Sequence, residues 1–333
     1  MSSLSMGDMA QSFTLTRSGA TMKTNIQRLS NELVTGLAND TSQHLSGDFG
    51  ALTAIKASLS RLQGYRAVTS EAGLLTDTMQ TALGHITDMS GDLGSALLAN
   101  GNSGGGIAGM SALGTDAEQK FEAAVSALNT HVGDRNLFAG VATTTTPLPS
   151  GADLLDTLQA VVAASTSAAD VQTALDDWFA DPAGYAASYL GGAPLAGLPV
   201  APGELARMDV TALDPVLRDA LKGLALSALV GRDVFAGEPE KRADLLRRSG
   251  EALVSSQSGL AELTSRLGTA QAQISDAAQR NTAETSALNI ALSDLLSIDS
   301  YEVASQLQET QTQLETLYAL TSRMSRLNLV NFL

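Results

Sequence analysis

Apolar residues recur at steps of three, four or seven at both ends of this chain. Leu15, Met22, Ile26, Leu29 and Leu33 carry the repeat near the start; Val303, Leu307, Leu314, Leu317 and Met324 carry it near the finish. Such spacing lays a narrow apolar seam along a helix, the geometry of a coiled coil. Ser18, Thr310, Thr321 and Asn328 fall on the same seams, and burying them calls for partners that two isolated helices supply poorly. The seams are therefore expected to be weak alone and completed by neighbours. The pattern continues through Leu327, Leu329, Val330 and Phe332, an apolar tail that needs a cover.

Between the seams the pattern predicts long helices around a compact middle. All eight prolines lie between Pro147 and Pro239, so the flanks are free of the residue that most often breaks a helix. Gly36 offers a stop, and residues 39–50, rich in Asn, Asp, Thr, Ser and Gly, read as a linker. Leu52, Ile55, Leu62, Leu75, Leu83, Leu93 and Leu97 then predict one helix of about 70 Å at 1.5 Å per residue, ending in the glycine cluster of residues 100–109. Thr115 with Glu118 has the form of a capping box and would open a shorter helix through Phe121, Val125 and Leu128. Residues 135–146 are dense in β-branched side chains and read as a short hairpin.

From residue 147 to 215, helical fragments at 152–164 and 168–179 alternate with Gly and Pro turns. Trp178, Phe179, Tyr185 and Tyr189 gather there, which suggests a separate small core. Asp214 before Pro215 is a good N-cap and first-turn pair. A long helix over 240–296 follows, and Asp299 with Glu302 marks a restart before the last seam. The expected fold is mainly α. A terminal coiled-coil domain takes residues 1–38 and 300–333, residues 39–50 form a linker, a helical rod domain takes 51–146 and 216–299 with a hairpin at 135–146, and residues 147–215 form an acidic, α-rich inserted outer domain.

Composition narrows the function. The net charge is −15, and residues 147–215 hold nine acids against Arg207 alone, the opposite of the clustered Lys and Arg that nucleic acid demands. The absence of cysteine excludes disulfides, thiolate metal sites and cysteine nucleophiles. The chain is expected to carry neither a cleaved secretory signal peptide nor a membrane span.

Candidate chemistry is thin. Gly104, Gly106 and Gly109 satisfy a GxGxxG pattern, but it follows a helix and lacks a βαβ unit. His44, His85 and His131 lack metal-site spacing. Asp176 and Asp177 adjoin Trp178, but neighbours in a helix point about 100° apart. Lys241, Arg242, Arg247 and Arg248 form a basic cluster that Glu238, Glu240 and Asp244 balance as a surface run. No catalytic, metal or cofactor site is expected, and no enzyme.

Three stretches and the tail carry a resemblance. Arg28-Leu29-Ser30-Asn31-Glu32-Leu33-Val34-Thr35-Gly36 resembles a helix-ending signature of the flagellin superfamily. Gly133-Asp134-Arg135-Asn136-Leu137-Phe138-Ala139-Gly140 resembles that superfamily's hairpin motif, of which Arg135, Leu137, Phe138 and Gly140 are the motif residues here. Asp299-Ser300-Tyr301-Glu302-Val303-Ala304 is similar to the start of its terminal helix, and residues 327–333 are similar to its apolar tail. Residues 37–48 depart from the pattern, with Leu37 to His44 and Ser46-Gly47-Asp48 standing where the family carries a basic residue and paired aspartates.

Within the superfamily the chain is most similar to the hook-associated protein 3 branch, the hook-filament junction proteins. The resemblance implies a structural part of the bacterial flagellum, sent out through the flagellar type III channel with an export chaperone and completed by docking. Its implied partners are like subunits in a ring or tube, the adjoining hook-associated junction protein, and flagellin or the filament cap. A flagellin that forms the filament itself is the alternative. A signalling hairpin, suggested by the Gln- and Glu-rich stretch 306–315, and an enzyme with its site near Trp178 and Tyr189 stay open as readings from other classes.

Overall fold

The computed structural model describes residues 3–101 and 106–330. The fold is mainly α, with short antiparallel strand pairs as its only sheets among the described residues. It divides into two compact units, Met1–Leu62 with Ala283–Leu333, and Gln63–Thr282.

In the first unit, α1 (Ser3–Thr35) packs antiparallel along α10 (Ser300–Val330). α1 stops where Gly36 turns left-handed, φ +71°, and donates its N–H to Glu32 O at 2.8 Å. Glycine takes that conformation without the Cβ penalty. The next residues pair with the chain returning from α9 (Pro239–Leu296): Ala38 N donates to Leu296 O at 2.8 Å and Ile298 N to Gly36 O at 3.1 Å, around a bridge between Leu37 and Ser297. The linker is therefore only partly irregular. It also holds the single turn α2 (Thr41–His44), capped by Asp40, whose carboxylate accepts from Gln43 N at 3.1 Å. Asp299 caps α10, accepting from Tyr301 N at 2.9 Å and Glu302 N at 3.2 Å.

The second unit holds most of α3 (Gly50–Gly101), then α4 (Ile107–Leu128), β1 (His131–Val132) and β2 (Arg135–Asn136). α5 (Gly151–Val161), α6 (Ala168–Ala180), α7 (Tyr185–Ser188), β3 (Leu198–Ala201) and β4 (Glu204–Ala206) follow, and α8 (Pro215–Gly231) and most of α9 (Pro239–Leu296) complete it. At the centre stands α8, buried all round from Gly223 to Val230, as a helix stretch apolar on every face must be. It starts as the sequence suggests, with Asp214 accepting from Val216 N at 3.1 Å and Pro215 in the first turn.

Three expectations are corrected. α4 begins at Ile107 with Gly106 at its N-cap, so Thr115 is interior and its hydroxyl donates to Ser111 O at 3.1 Å. The helix has already begun two turns before the apparent capping box, and a mid-helix threonine bonds back to the preceding turn. The hairpin expected over 135–146 lies earlier, with Val132 opposite Arg135 across Gly133 and Asp134, because Gly133 supplies the positive φ of +58°. Residues 137–146 are turns instead, closed by Asn136, whose backbone N–H donates to Thr143 O at 2.7 Å.

The third correction concerns residues 147–215, which close no core of their own. Leu154, Leu155 and Leu158 of α5 and Val171, Leu175 and Phe179 of α6 belong to the same buried cluster as Phe121, Leu128 and Leu221. Two helices of 11 and 13 residues expose too much apolar face to cover each other, so they bury it against α8 and α4. The aromatic cluster sits in this shared core: the Trp178 and Phe179 rings meet edge to face at 5.0 Å, and Phe179 stacks on Tyr185 at 5.1 Å.

Candidate assembly interface

The seam residues occupy the α1–α10 pair, and two of them are buried there: Leu29, 3 % exposed, and Val303, 8 %. Leu15, Met22, Ile26, Leu307, Leu314 and Leu317 are half-buried, and Leu33 is exposed. Met324 falls within α10, but its side chain lies outside the described residues, as do those of Asn328 and the apolar tail. Around the seam, Phe13, Val34 and Tyr301 are largely exposed, at 69 %, 84 % and 84 %. The pair thus hides part of its apolar surface and leaves the rest to water, at roughly 25 cal/mol per Å² of apolar area.

The polar seam residues behave differently from expectation. Thr310 donates its hydroxyl to Gln306 O and Thr321 to Leu317 O, both at 2.7 Å. Each of these two hydroxyls is satisfied by its own helix, so what the seam lacks around them is apolar cover, not hydrogen-bond partners. Across the pair, the Lys23 ammonium stands 5.6 Å from the Tyr318 ring centroid, and the Tyr318 hydroxyl, by hydrogen bond, raises the lysine's pKa.

Glu32 is a residue that sequence spacing only hinted at. It is 4 % exposed, receives both contacts of the Arg28 guanidinium at 3.0 Å, and accepts from Asn39 N at 2.9 Å. The signal was an Arg and Glu four apart; the third bond, which ties α1 to its linker, has no local signature. His44, also in the linker, places Nε2 3.2 Å from Leu295 O.

The four hairpin-motif residues lie in the other unit, where Leu137, Phe138 and Gly140 are buried and Arg135 is half-buried. Arg135 is ion-paired with Glu71, Leu137 N donates to Thr130 O at 3.1 Å, and Phe138, fully buried, accepts from Ala212 N at 3.0 Å. Gly140 has φ +60°. The basic cluster is consumed internally: Arg247 and Arg248 pair with Asp244. Arg242 is no surface residue at all, being 5 % exposed with its guanidinium donating to Val230 O at 2.6 Å. Asp176 pairs with Lys222 at 2.7 Å. Of the GxGxxG glycines, Gly104 lies outside the described residues and Gly106 caps α4.

Among the described residues no helix is long and apolar enough to cross a membrane. No curated protein matches the chain. Residues 252–333, the last part of α9 and all of α10, match the family model of the bacterial flagellin C-terminal helical region, which supports a place in the flagellin superfamily, a family of structural, self-assembling flagellar components.

Proposed function

We propose that this chain is a structural subunit of the bacterial flagellum, an adaptor at the hook-filament junction that assembles through its terminal helices. The observation that carries the reading is the half-covered seam of α1 and α10, in which six of the ten seam residues remain half-exposed and a seventh, Leu33, is exposed. A helix pair of this kind gains by docking, because neighbours cover apolar surface that the pair leaves wet. The seam residues contact like subunits in a ring or tube, the adjoining hook-associated junction protein on one side, and flagellin or the filament cap on the other. Export runs through the flagellar type III channel with a chaperone, to an extracellular position.

Deleting the gene and imaging the cells tests the proposal. Hooks without filaments, with filament subunits lost to the medium, are expected; normal filaments would refute it. The family match to a flagellin region favours a second reading, a filament-forming flagellin. Purified protein that extends short filament seeds, followed by turbidity, selects that reading over the adaptor.

A further inference from the structure

Charge on α3 is segregated. From Gly50 to Arg66 its charged side chains are Lys56, Arg61 and Arg66; beyond them they are Glu71, Asp77, Asp88 and Asp92. All seven are exposed. Several cations elsewhere are spent on the chain's own carboxylates: Arg135 on Glu71, Lys222 on Asp176, Arg232 on Glu118, Arg266 on Asp214 and Arg280 on Glu204. Among the described residues Lys56, Arg61 and Arg66 form no ion pair, neither with Glu284 nor with Asp294 of α9, and Arg61 reaches only the Ser58 hydroxyl, at 3.3 Å.

Farther along α3, within the 63–282 unit, an open groove runs between α3 and α9. Its two adjoining parts, of about 730 and 480 Å³, share Gly268 and Ala272. Asp77 and Asp88 line it, no Lys or Arg does, and Gly73 and Gly84 leave room for a close approach. The Gln80 side-chain oxygen inside it has no hydrogen-bond partner.

We propose that this groove receives residues 56–66 of α3 from a second copy of the chain. The inference rests on the assembly reading above and names one of its contacts. Successive residues turn by about 100°, which sets Lys56, Arg61 and Arg66 about 140° apart around the helix, so the exposed sides of the band carry a cation in each direction. Their long side chains reach over the rim to Asp77 and Asp88 while the stems cover the groove floor.

The two surfaces differ, so the contact is heterologous: each copy in a joined pair keeps one unused half, and addition continues into a ring or a tube.

The chain has no cysteine, so engineered pairs report contacts without background. Flagella would be isolated from cells expressing the full chain with Ser60→Cys and Gly84→Cys together, oxidised, and run without reductant. A ladder of linked copies is expected from the pair and none from either single substitution. Reversing the band (K56E, R61E, R66E) should lower incorporation at least tenfold, and adding D77K and D88K should restore it, with circular dichroism confirming folded variants. Flagella that contain the chain but give no ladder and ignore charge reversal would overturn this contact and leave the flagellar reading intact. A chain absent from flagella altogether would remove both.

Discussion

Gly140 lies against the carbonyl oxygen of Ala193: a Cβ on Gly140 would stand 2.2 Å from it, and the residue's φ is +60°. The same turn is laced by Val141 N to Ala193 O at 2.9 Å and Gly192 N to Ala139 O at 2.8 Å. Gly140→Ala therefore meets both a left-handed backbone and a rigid backbone neighbour, and should cost about 2–4 kcal/mol. Trp178 is the sole tryptophan and half-buried in the same unit, so its fluorescence in a urea titration reads the loss. An unchanged midpoint would mean that this clasp is not tight.

Tyr185 gives a pH signature. Its ring is buried, its hydroxyl donates to Ala212 O at 2.9 Å, and burial pushes its ionisation well above the usual phenol range, with Arg218 pulling weakly the other way. Tyr189 is raised too, again by burial. The folded state holds these protons more tightly than the unfolded state. Their stabilising contribution is complete below the unfolded value of about 10 and is lost as pH rises above it. Tyr185→Phe should cost about 1 kcal/mol at neutral pH and flatten the alkaline fall. Urea midpoints from pH 8 to 11 with the same slope in both proteins would contradict this.

Legibility followed the period of the pattern. α3, α8 and α9 were readable because 52, 17 and 58 residues repeat one signal many times, and local chemistry marks other boundaries: Gly36 at the end of α1, Asp214-Pro215 at the start of α8 and Asp299 at the start of α10. The β3–β4 hairpin was not. Its strands are four and three residues long, with Pro199 inside, and what holds them is remote, Asn281 Nδ2 donating to Val200 O at 2.9 Å and Arg280 bonding Glu204 at 2.6 Å. Only the Pro202-Gly203 turn hinted at it. The seam positions were legible and their degree of cover was not, since spacing gives the face of a helix but not how much of it a single partner hides.

Glu32 should act as the latch between α1 and its linker. Glu32→Ala removes charge-assisted bonds from Arg28 and from Asn39 N–H, each worth roughly 1.5–3 kcal/mol. Amide exchange at Asn39 should then accelerate by tenfold or more. Glu32→Gln keeps an acceptor for Asn39 while losing the charge and should fall between. Equal exchange in all three proteins would show that Gly36 and the Leu37–Ser297 bridge hold the linker unaided.

The seam itself predicts a separation between folding and assembly. Leu314 and Leu317 are half-buried on α10, one turn from exposed Tyr318 and Leu320. A charge placed there meets water in the monomer but apolar neighbours in an assembled tube, where an unpaired buried carboxylate costs several kcal/mol. Leu314→Asp should thus change the unfolding free energy of the 63–282 unit by less than about 0.5 kcal/mol in a urea titration of the monomer and abolish incorporation into flagella. Hydrogen exchange over residues 13–35 and 300–323 should be fast in dilute monomer and slow in assembled material. Strong protection of both stretches in the monomer, with incorporation untouched by Leu314→Asp, would mean that the pair is complete in itself and that docking uses another surface.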